Sequence, residues 1–383
     1  MATAAKKIAA PEPEVAGMKC TLNRGEFLRA LSYASAIVER RNTIPVLSNV
    51  LLEATSDGLC VTATDLNLQI ALSVPAQVEA EGATTVSAQL LTGIIREFAD
   101  GAQVELSLDD NRLQVISGRS RYKLQTIPRD DFPVVQAKDA LASFALPAKE
   151  LLAAFRRVEF AQATDHIVKS HLCGISIDVV DDELTFAATD GNRLAWSTLP
   201  APDVSALNGV ILSSKLVSSL SRLLDGRDGD VRLTFEERRV VAEIDSAILS
   251  GKLVEGTFPP WRRIIPKASG QHVDVSIPAL EGALRRAALI ASDRTSLVKI
   301  ELSPDKLTVS ATSPERGTAV EEVPCALEGD DISFGVNSRF LLDMLGAAGD
   351  GDIHVAFSDA ASPMLFSNPA DDSARWIVPP MRV

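Results

Sequence analysis

The chain repeats itself three times, and nothing else in it constrains the fold as strongly. One copy runs from Val50 to Asp65, a second from Ile175 to Asp190, and a third from Val298 to Ser313. Each holds an alternating stretch, a polar turn, a second alternating stretch, and then Ala-Thr followed by Asp or Ser. Alternation of period two on both sides of a polar turn predicts a β-hairpin. Asp65, Asp190 and Ser313 lie 125 and 123 residues apart. A period of that length is a whole domain rather than one turn of a solenoid.

The flanks repeat too. Before each hairpin a short strand leads into an amphipathic helix, at Leu22-Asn-Arg-Gly-Glu-Phe-Leu, Leu146-Pro-Ala-Lys-Glu-Leu-Leu and Ile277-Pro-Ala-Leu-Glu-Gly-Ala-Leu. Phe27, Leu31, Ala34 and Val38, and likewise Leu151, Leu152, Phe155 and Val158, fall at helical spacing. Two of the three carry Pro just inside the helix start, where its missing N–H is not needed. After each hairpin a second helix follows Ser87, Ser213 or Asn337, side chains that cap helix amides well. Each copy therefore reads β-α-ββ-β-α-ββ with extra strands, and looks halved within itself. The expected fold is α+β: three tandem domains with antiparallel sheets and two helices each. Expected boundaries are 18–140, 141–270 and 271–383, with residues 1–17 a disordered, Ala-, Pro- and charge-rich extension that lacks the apolar core of a secretory signal.

No stretch approaches the roughly 18–20 apolar residues of a membrane span. The four cysteines, Cys20, Cys60, Cys173 and Cys325, form no C-x-x-C pair. Reduced thiols, a cytoplasmic location and no membrane partner are expected. The net charge of −13 argues against a nucleic-acid binder if taken as a sum. Its distribution says otherwise. The six helix windows, 24–41, 88–101, 151–169, 215–227, 280–294 and 337–345, hold 15 Lys or Arg and 10 Asp or Glu, leaving −18 for everything else. Basic helices on one side of acidic sheets would attract phosphates without reading sequence.

Catalytic signals are weak. Thr64-Asp65 and Thr189-Asp190 could pass for acid or nucleophile sites. However, the Thr recurs in all three copies and the third copy has Ser313 for the Asp, which points to turn chemistry. The histidines, His166, His171, His272 and His354, show no metal-ligand spacing beyond the loose His166/His171 pair, so neither a metal nor a cofactor is expected. There is no phosphate-binding G-x-x-x-x-G-K-[ST] loop and no G-x-S-x-G elbow. On the residues alone, three readings stand: a sequence-blind nucleic-acid binder, a repeat-built protein-interaction scaffold that does not bind DNA, and a carbohydrate-active or nucleotide-modifying enzyme using the Asp65 and Asp190 turns.

Several stretches, taken in order, narrow these. They are Thr43-Ile-Pro-Val-Leu-Ser-Asn-Val-Leu-Leu52, Gly118-Arg-Ser-Arg-Tyr122, Asp131-Phe-Pro133, Ala188-Thr-Asp-Gly-Asn-Arg-Leu-Ala195, Gly256-Thr-Phe-Pro-Pro-Trp-Arg-Arg-Ile-Ile-Pro-Lys267 and Pro380-Met-Arg-Val383. With the triplication they make the chain resemble the beta-subunit family of bacterial DNA polymerase III, the sliding clamps, over 18–383. The resemblance implies a non-catalytic processivity factor, a head-to-tail homodimer of six domains closing a ring around double-stranded DNA, and helices lining the hole. Implied partners are the polymerase III alpha subunit, the clamp loader and other proteins with clamp-binding motifs. It implies a partner-peptide pocket at Leu172, Thr189, Gly191, Arg193, Leu194, Pro259, Arg263, Ile264, Ile377, Val378 and Met381, with Asn192 and Pro379 departing from the family's His and Met. DNA contacts are implied at Arg41, His166, Lys169 and His171, with Arg156, Arg157, Arg222, Arg285 and Arg286 as lesser candidates. The dimer seam is implied at Tyr122, Leu124, Leu289 and Ile290.

Overall fold

The three hairpins form where the alternation places them, at Asn49–Thr55/Gly58–Thr64, Gly174–Val180/Glu183–Thr189 and Leu297–Ser303/Lys306–Ser313. The structure is a computed structural model. It describes residues 17–39, 43–133, 135, 139–165, 167, 169–180, 182–201, 207, 209–266, 270–292 and 295–382. The chain divides into two compact units, residues 1–137 with 245–250, and residues 138–244 with 251–383.

Six helices recur at matched places: α1 (Arg24–Ile37), α2 (Ala88–Arg96), α3 (Ala148–Val158), α4 (Ser214–Leu224), α5 (Ile277–Ala288) and α6 (Ser338–Ala348). Each of the three repeats is a strand, a helix and three strands, twice over, and the first adds Ala76–Ala80. The halving read from the sequence is real, but each half closes on three strands rather than two. Ser87, Ser213 and Asn337 do cap their helices, each accepting from a backbone amide of the first turn. Pro278 sits in the first turn of α5, whereas Pro147 is itself the N-cap of α3, one residue outside the helix.

Most helices are shorter than their sequence windows. The chain turns extended at Val38 and Asp225, and α3 tightens into a 3-10 turn at Glu159–Ala161. Only α6 outruns its window, ending at Gly349, whose φ of 83° few other residues adopt readily. The trimmed helices sharpen the charge contrast, with eleven basic and four acidic residues.

In the first unit, strands Leu68–Val74, Gly58–Thr64, Asn49–Thr55, Gly82–Ser87, Ser120–Ile127, Arg112–Ser117, Gln103–Asp109, Lys19–Asn23 and Ala76–Ala80 neighbour one another in that order. Helix α1 buries Phe27, Ala30, Leu31, Ala34 and Ile37, and packs on α2. Arg24 ties the pair: it donates to the carbonyls of Ile95 and Arg96 and to Asp100, satisfying the free C-terminal end of α2. In the second unit, one antiparallel sheet runs from Val210–Ser213 through Gly174–Val180, Glu183–Thr189 and Leu194–Pro200 to Asp371–Val378, and on into the third repeat. Helices α3 and α4 pack together, as do α5 and α6, and α3 also meets α6. The second and third repeats thus share both a sheet and a helix layer.

All four cysteines are free thiols, and burial raises each one; Cys20 is pushed up to about 11.

Candidate functional site

The site begins with the Ala-Thr-Asp turn of the second copy. Thr189 Oγ1 donates to the Arg193 carbonyl at 2.6 Å, and one Asp190 carboxylate oxygen accepts from the amides of Asn192 and Arg193. The first copy is built alike: Thr64 Oγ1 donates to the Leu68 carbonyl, and Asp65 accepts from the amides of Asn67 and Leu68. In the third copy, the Ser313 hydroxyl accepts from Glu315 and Arg316 at a longer 3.4 Å. These side chains hold turns; they are not arranged as acids or nucleophiles. The residue after the Asp needs positive φ, which Gly191 supplies at 89° and Leu66 supplies only under strain at 74°.

The turn delivers strand Leu194–Pro200 onto the last strand of the chain, with Leu194 opposite Ile377. Leu172, Leu194 and Ile377 then meet in one buried cluster with Cys173, Phe258 and Trp261. Trp196 packs on Trp261 with ring centroids 5.4 Å apart. Beside this nucleus lies a groove of about 540 Å³ lined by Ser176, Asp178, Gly209 and the Gly256–Arg263 segment. Pro259 and Arg263 line the groove, whereas Leu172, Leu194 and Ile377 do not. Ile264 is 55% exposed at its end. Val378 is buried opposite Met364, and Met381 bridges in both directions to Gly335, anchoring the tail on the third repeat.

Arg193 does not point freely at a ligand. Its guanidinium donates to Asp343 of α6 at 2.6 Å, to the Phe160 carbonyl at 2.6 Å and to Asp190 at 3.2 Å. It also lies against the Phe160 and Phe340 rings. It is a buttress between second-repeat and third-repeat elements. Arg157 makes a second link, pairing with Asp371, while the Trp376 indole donates to the Arg157 carbonyl. Burial opposes ionisation of Asp371, but Ser373 and Arg157 outweigh it and hold the carboxyl below its usual value. Because the folded value is depressed, this stabilisation is present above the unfolded carboxyl pKa of about 3.9 and is lost as pH falls through the folded one. Asp371→Asn should therefore flatten the loss of thermal stability below about pH 4, read by circular dichroism.

Of the residues implied for DNA, Arg41 and His166 lie outside the described residues. The Lys169 ammonium donates to the Asp190 carbonyl at 2.7 Å, so it supports the Thr189–Arg193 turn. His171 is half-buried, its Cβ close against Gly256. Ile167, two residues before Lys169, is 94% exposed. The basic helix residues are paired: Arg156 with Asp225, Arg285 with Glu281 and Arg286 with Glu321. Of the seam residues in the first unit, Tyr122 is exposed against Phe98, but Leu124 is buried at 7% because it turns into that unit's core. In the second unit, Leu289 is 73% exposed and Ile290 half-buried, just past the end of α5.

Sequence reasoning missed four participants. Trp196, Trp261, Asp178 and Arg262 shape the groove, where Arg262 lies over the Trp261 ring and grips Asp178 with two hydrogen bonds. The Phe-Pro-Pro-Trp-Arg-Arg run offered a signal for two of them. It also missed that strand pairing brings His272 and His354 together.

Three copies of one α+β domain, turn-forming rather than reactive carboxylates, and a second-repeat aromatic groove beside the nucleus that Ile377 of the third repeat completes define a repeat-built docking protein. The sequence matches the DNA polymerase III beta subunit N-terminal domain over residues 18–136, the central domain over 145–260 and the C-terminal domain over 262–382. It is 35% identical to the beta sliding clamp of Caulobacter vibrioides over 373 residues, covering 96% of this chain and all of that one. Against the Escherichia coli K12 beta sliding clamp it is 32% identical over 367 residues, with the same coverage. The crystal structure of the sliding clamp from Bartonella birtlesii superposes with a TM-score of 0.92 at 33% identity, covering 96% of this chain and all of that one. The chain belongs to the bacterial DNA polymerase III beta subunit family, the non-catalytic DNA sliding clamps. No helix among the described residues is long and apolar enough to cross a membrane.

Proposed function

We propose that two copies of this chain close head to tail into a ring around double-stranded DNA in the cytoplasm, and that the Leu172–Ile377 junction holds the peptides of its partners. The observation that carries this is a pair of unfilled strand edges. Within the chain, the last strand of the third repeat pairs with the strand after the hairpin of the second, Leu194 opposite Ile377. The matching last strand of the first repeat, Ser120–Ile127, meets Gly82–Ser87 only at Thr126 and Ile127, so among the described residues its Ser120–Gln125 stretch pairs with one strand alone, Arg112–Ser117. The matching strand of the third repeat, Gly317–Glu328, meets Gln271–Ser276 only at Cys325–Glu328, so among the described residues its Gly317–Pro324 stretch likewise pairs with one strand alone, Lys306–Ser313. Val320 on it is 67% exposed. An open strand edge is a site for pairing with another chain. Joining these two edges between copies repeats the in-chain junction, and a heterologous contact made twice closes a dimer.

The three domains of each copy, 18–140, 141–270 and 271–383, would then contribute three helix pairs, giving the ring of two copies six. Their basic excess suits contact with phosphate that positions without reading bases, with Arg41, His166, Lys169 and His171 as the nearest contacts. A ring tethers the polymerase III alpha subunit by keeping its effective concentration at the template high, and a clamp loader would use the same junction.

Light scattering should give a dimer of about twice 40.9 kDa. Once loaded, the protein should stay on circular DNA and slide off linearised DNA. A strict monomer, or retention indifferent to topology, would reject the ring and favour a scaffold. Leu172→Ala should weaken a clamp-binding peptide by about 30-fold, as loss of an apolar anchor worth about 2 kcal/mol does, and leave the dimer intact. Fluorescence polarisation with a labelled peptide measures this.

A further inference from the structure

We infer that the outer face of the third repeat carries a transition-metal site formed by His272, Asp274 and His354, of the kind that takes Zn²⁺. Strand Gln271–Ser276 buries Val273 and Val275, so His272 and Asp274 project together on its other face. Two strands flank it. His354 stands opposite Asp274 on one side, and Glu328 stands opposite His272 on the other. The two imidazoles lie 4.6 Å apart between centroids. His354 Nδ1 is 2.8 Å from an Asp274 oxygen, and His272 Nε2 is 3.6 Å from a Glu328 oxygen. One ligand atom from each of His272, Asp274 and His354 lies within 4.8 Å of the others.

The donor set selects the ion. Mg²⁺ and Ca²⁺ seek six or more oxygens, whereas two imidazole nitrogens and a carboxylate suit Zn²⁺. Zinc bonds of about 2.0–2.2 Å require ligand atoms about 3.4 Å apart in a tetrahedron. Binding would draw ligand atoms that already lie within 4.8 Å of one another to that spacing. Glu328, 76% exposed, can swing in as a fourth ligand. The ligands come from three adjacent strands, so a bound ion would cross-link this sheet and stabilise the third repeat. His272, Asp274 and His354 belong to neither the partner junction nor the proposed seam, and Glu328 lies at the end of the seam strand Gly317–Glu328 that is already paired with Gln271–Ser276.

The test is titration of the full chain with ZnCl₂ by calorimetry, alongside thermal denaturation in EDTA, Zn²⁺ or Mg²⁺. The wild type should bind one Zn²⁺ per chain at this site, and its Tm should rise with Zn²⁺ and not with Mg²⁺. His272→Asn and His354→Asn should each weaken that binding by about tenfold or more, since even an outer-shell partner is worth that much. No Zn²⁺ binding by the wild type, or an unchanged isotherm in both variants, overturns the site. Should either variant fold poorly, a wild-type crystal soaked in ZnCl₂ decides. An anomalous peak between His272 and His354 supports the site, and peaks only elsewhere, or none, reject it.

Discussion

Leu289→Asp should convert the dimer to monomer while leaving the chain folded. Leu289 is 73% exposed just beyond α5, so in the free chain the change is worth within about 0.5 kcal/mol. The proposed seam places it where helix α5, held to Gly317–Glu328 by the Arg286–Glu321 pair, meets the other copy. A carboxylate buried there without a partner costs about 3 kcal/mol. A closed ring has two identical seams, so the dimer loses about 6 kcal/mol, on the order of 10⁴ in dissociation constant. Sedimentation across concentrations reads it directly, with circular dichroism as the folding control. A dimer of undiminished affinity would move the seam elsewhere. Leu124 could not serve in this test, because its burial within the first unit would confuse dissociation with unfolding.

Arg193→Ala should have the second large effect, on stability rather than assembly. The side chain is 11% exposed and links Asp190, the Phe160 carbonyl and Asp343. Its removal strands a carbonyl and the partly buried Asp190. Asp343, 47% exposed, can rehydrate. The loss should therefore fall near about 2–3 kcal/mol, the low end for breaking a buried pair. Thermal denaturation should show Tm lower by about 5–10 °C. Arg193→Lys should recover less than half of this, since an ammonium cannot span three acceptors as a planar fork does. Full recovery by Lys would show that charge alone matters. Peptide affinity should drop in the Ala variant as well, because the Thr189–Arg193 turn loses its support.

Much of the fold was legible. The hairpins, the helix starts and the helix caps follow from side-chain period and from single residues such as Ser87, Ser213 and Asn337, which act on their immediate neighbours. Helix ends were less legible where no Gly or Pro marks the place, as at Val38, whereas Gly226, with a φ of 72°, follows directly on Asp225. Within the candidate site, Leu172, Leu194 and Ile377 were named and do converge. The roles of Arg193 and Lys169 were not legible, because their hydrogen-bond partners include Asp343, 150 residues away, and the Asp190 carbonyl.

By itself, then, the sequence determined the triplication, the α+β class, the capped helices and their basic excess, all consequences of local pattern. The tertiary structure alone decided that Arg193 is a buttress, that Leu124 faces inward, that two strand edges are left open, and that His272 and His354, 82 residues apart, stand side by side. The physical reason is the same for each. Strand register and helix packing set contacts between residues far apart in the chain, and no local pattern records which distant strand will lie alongside.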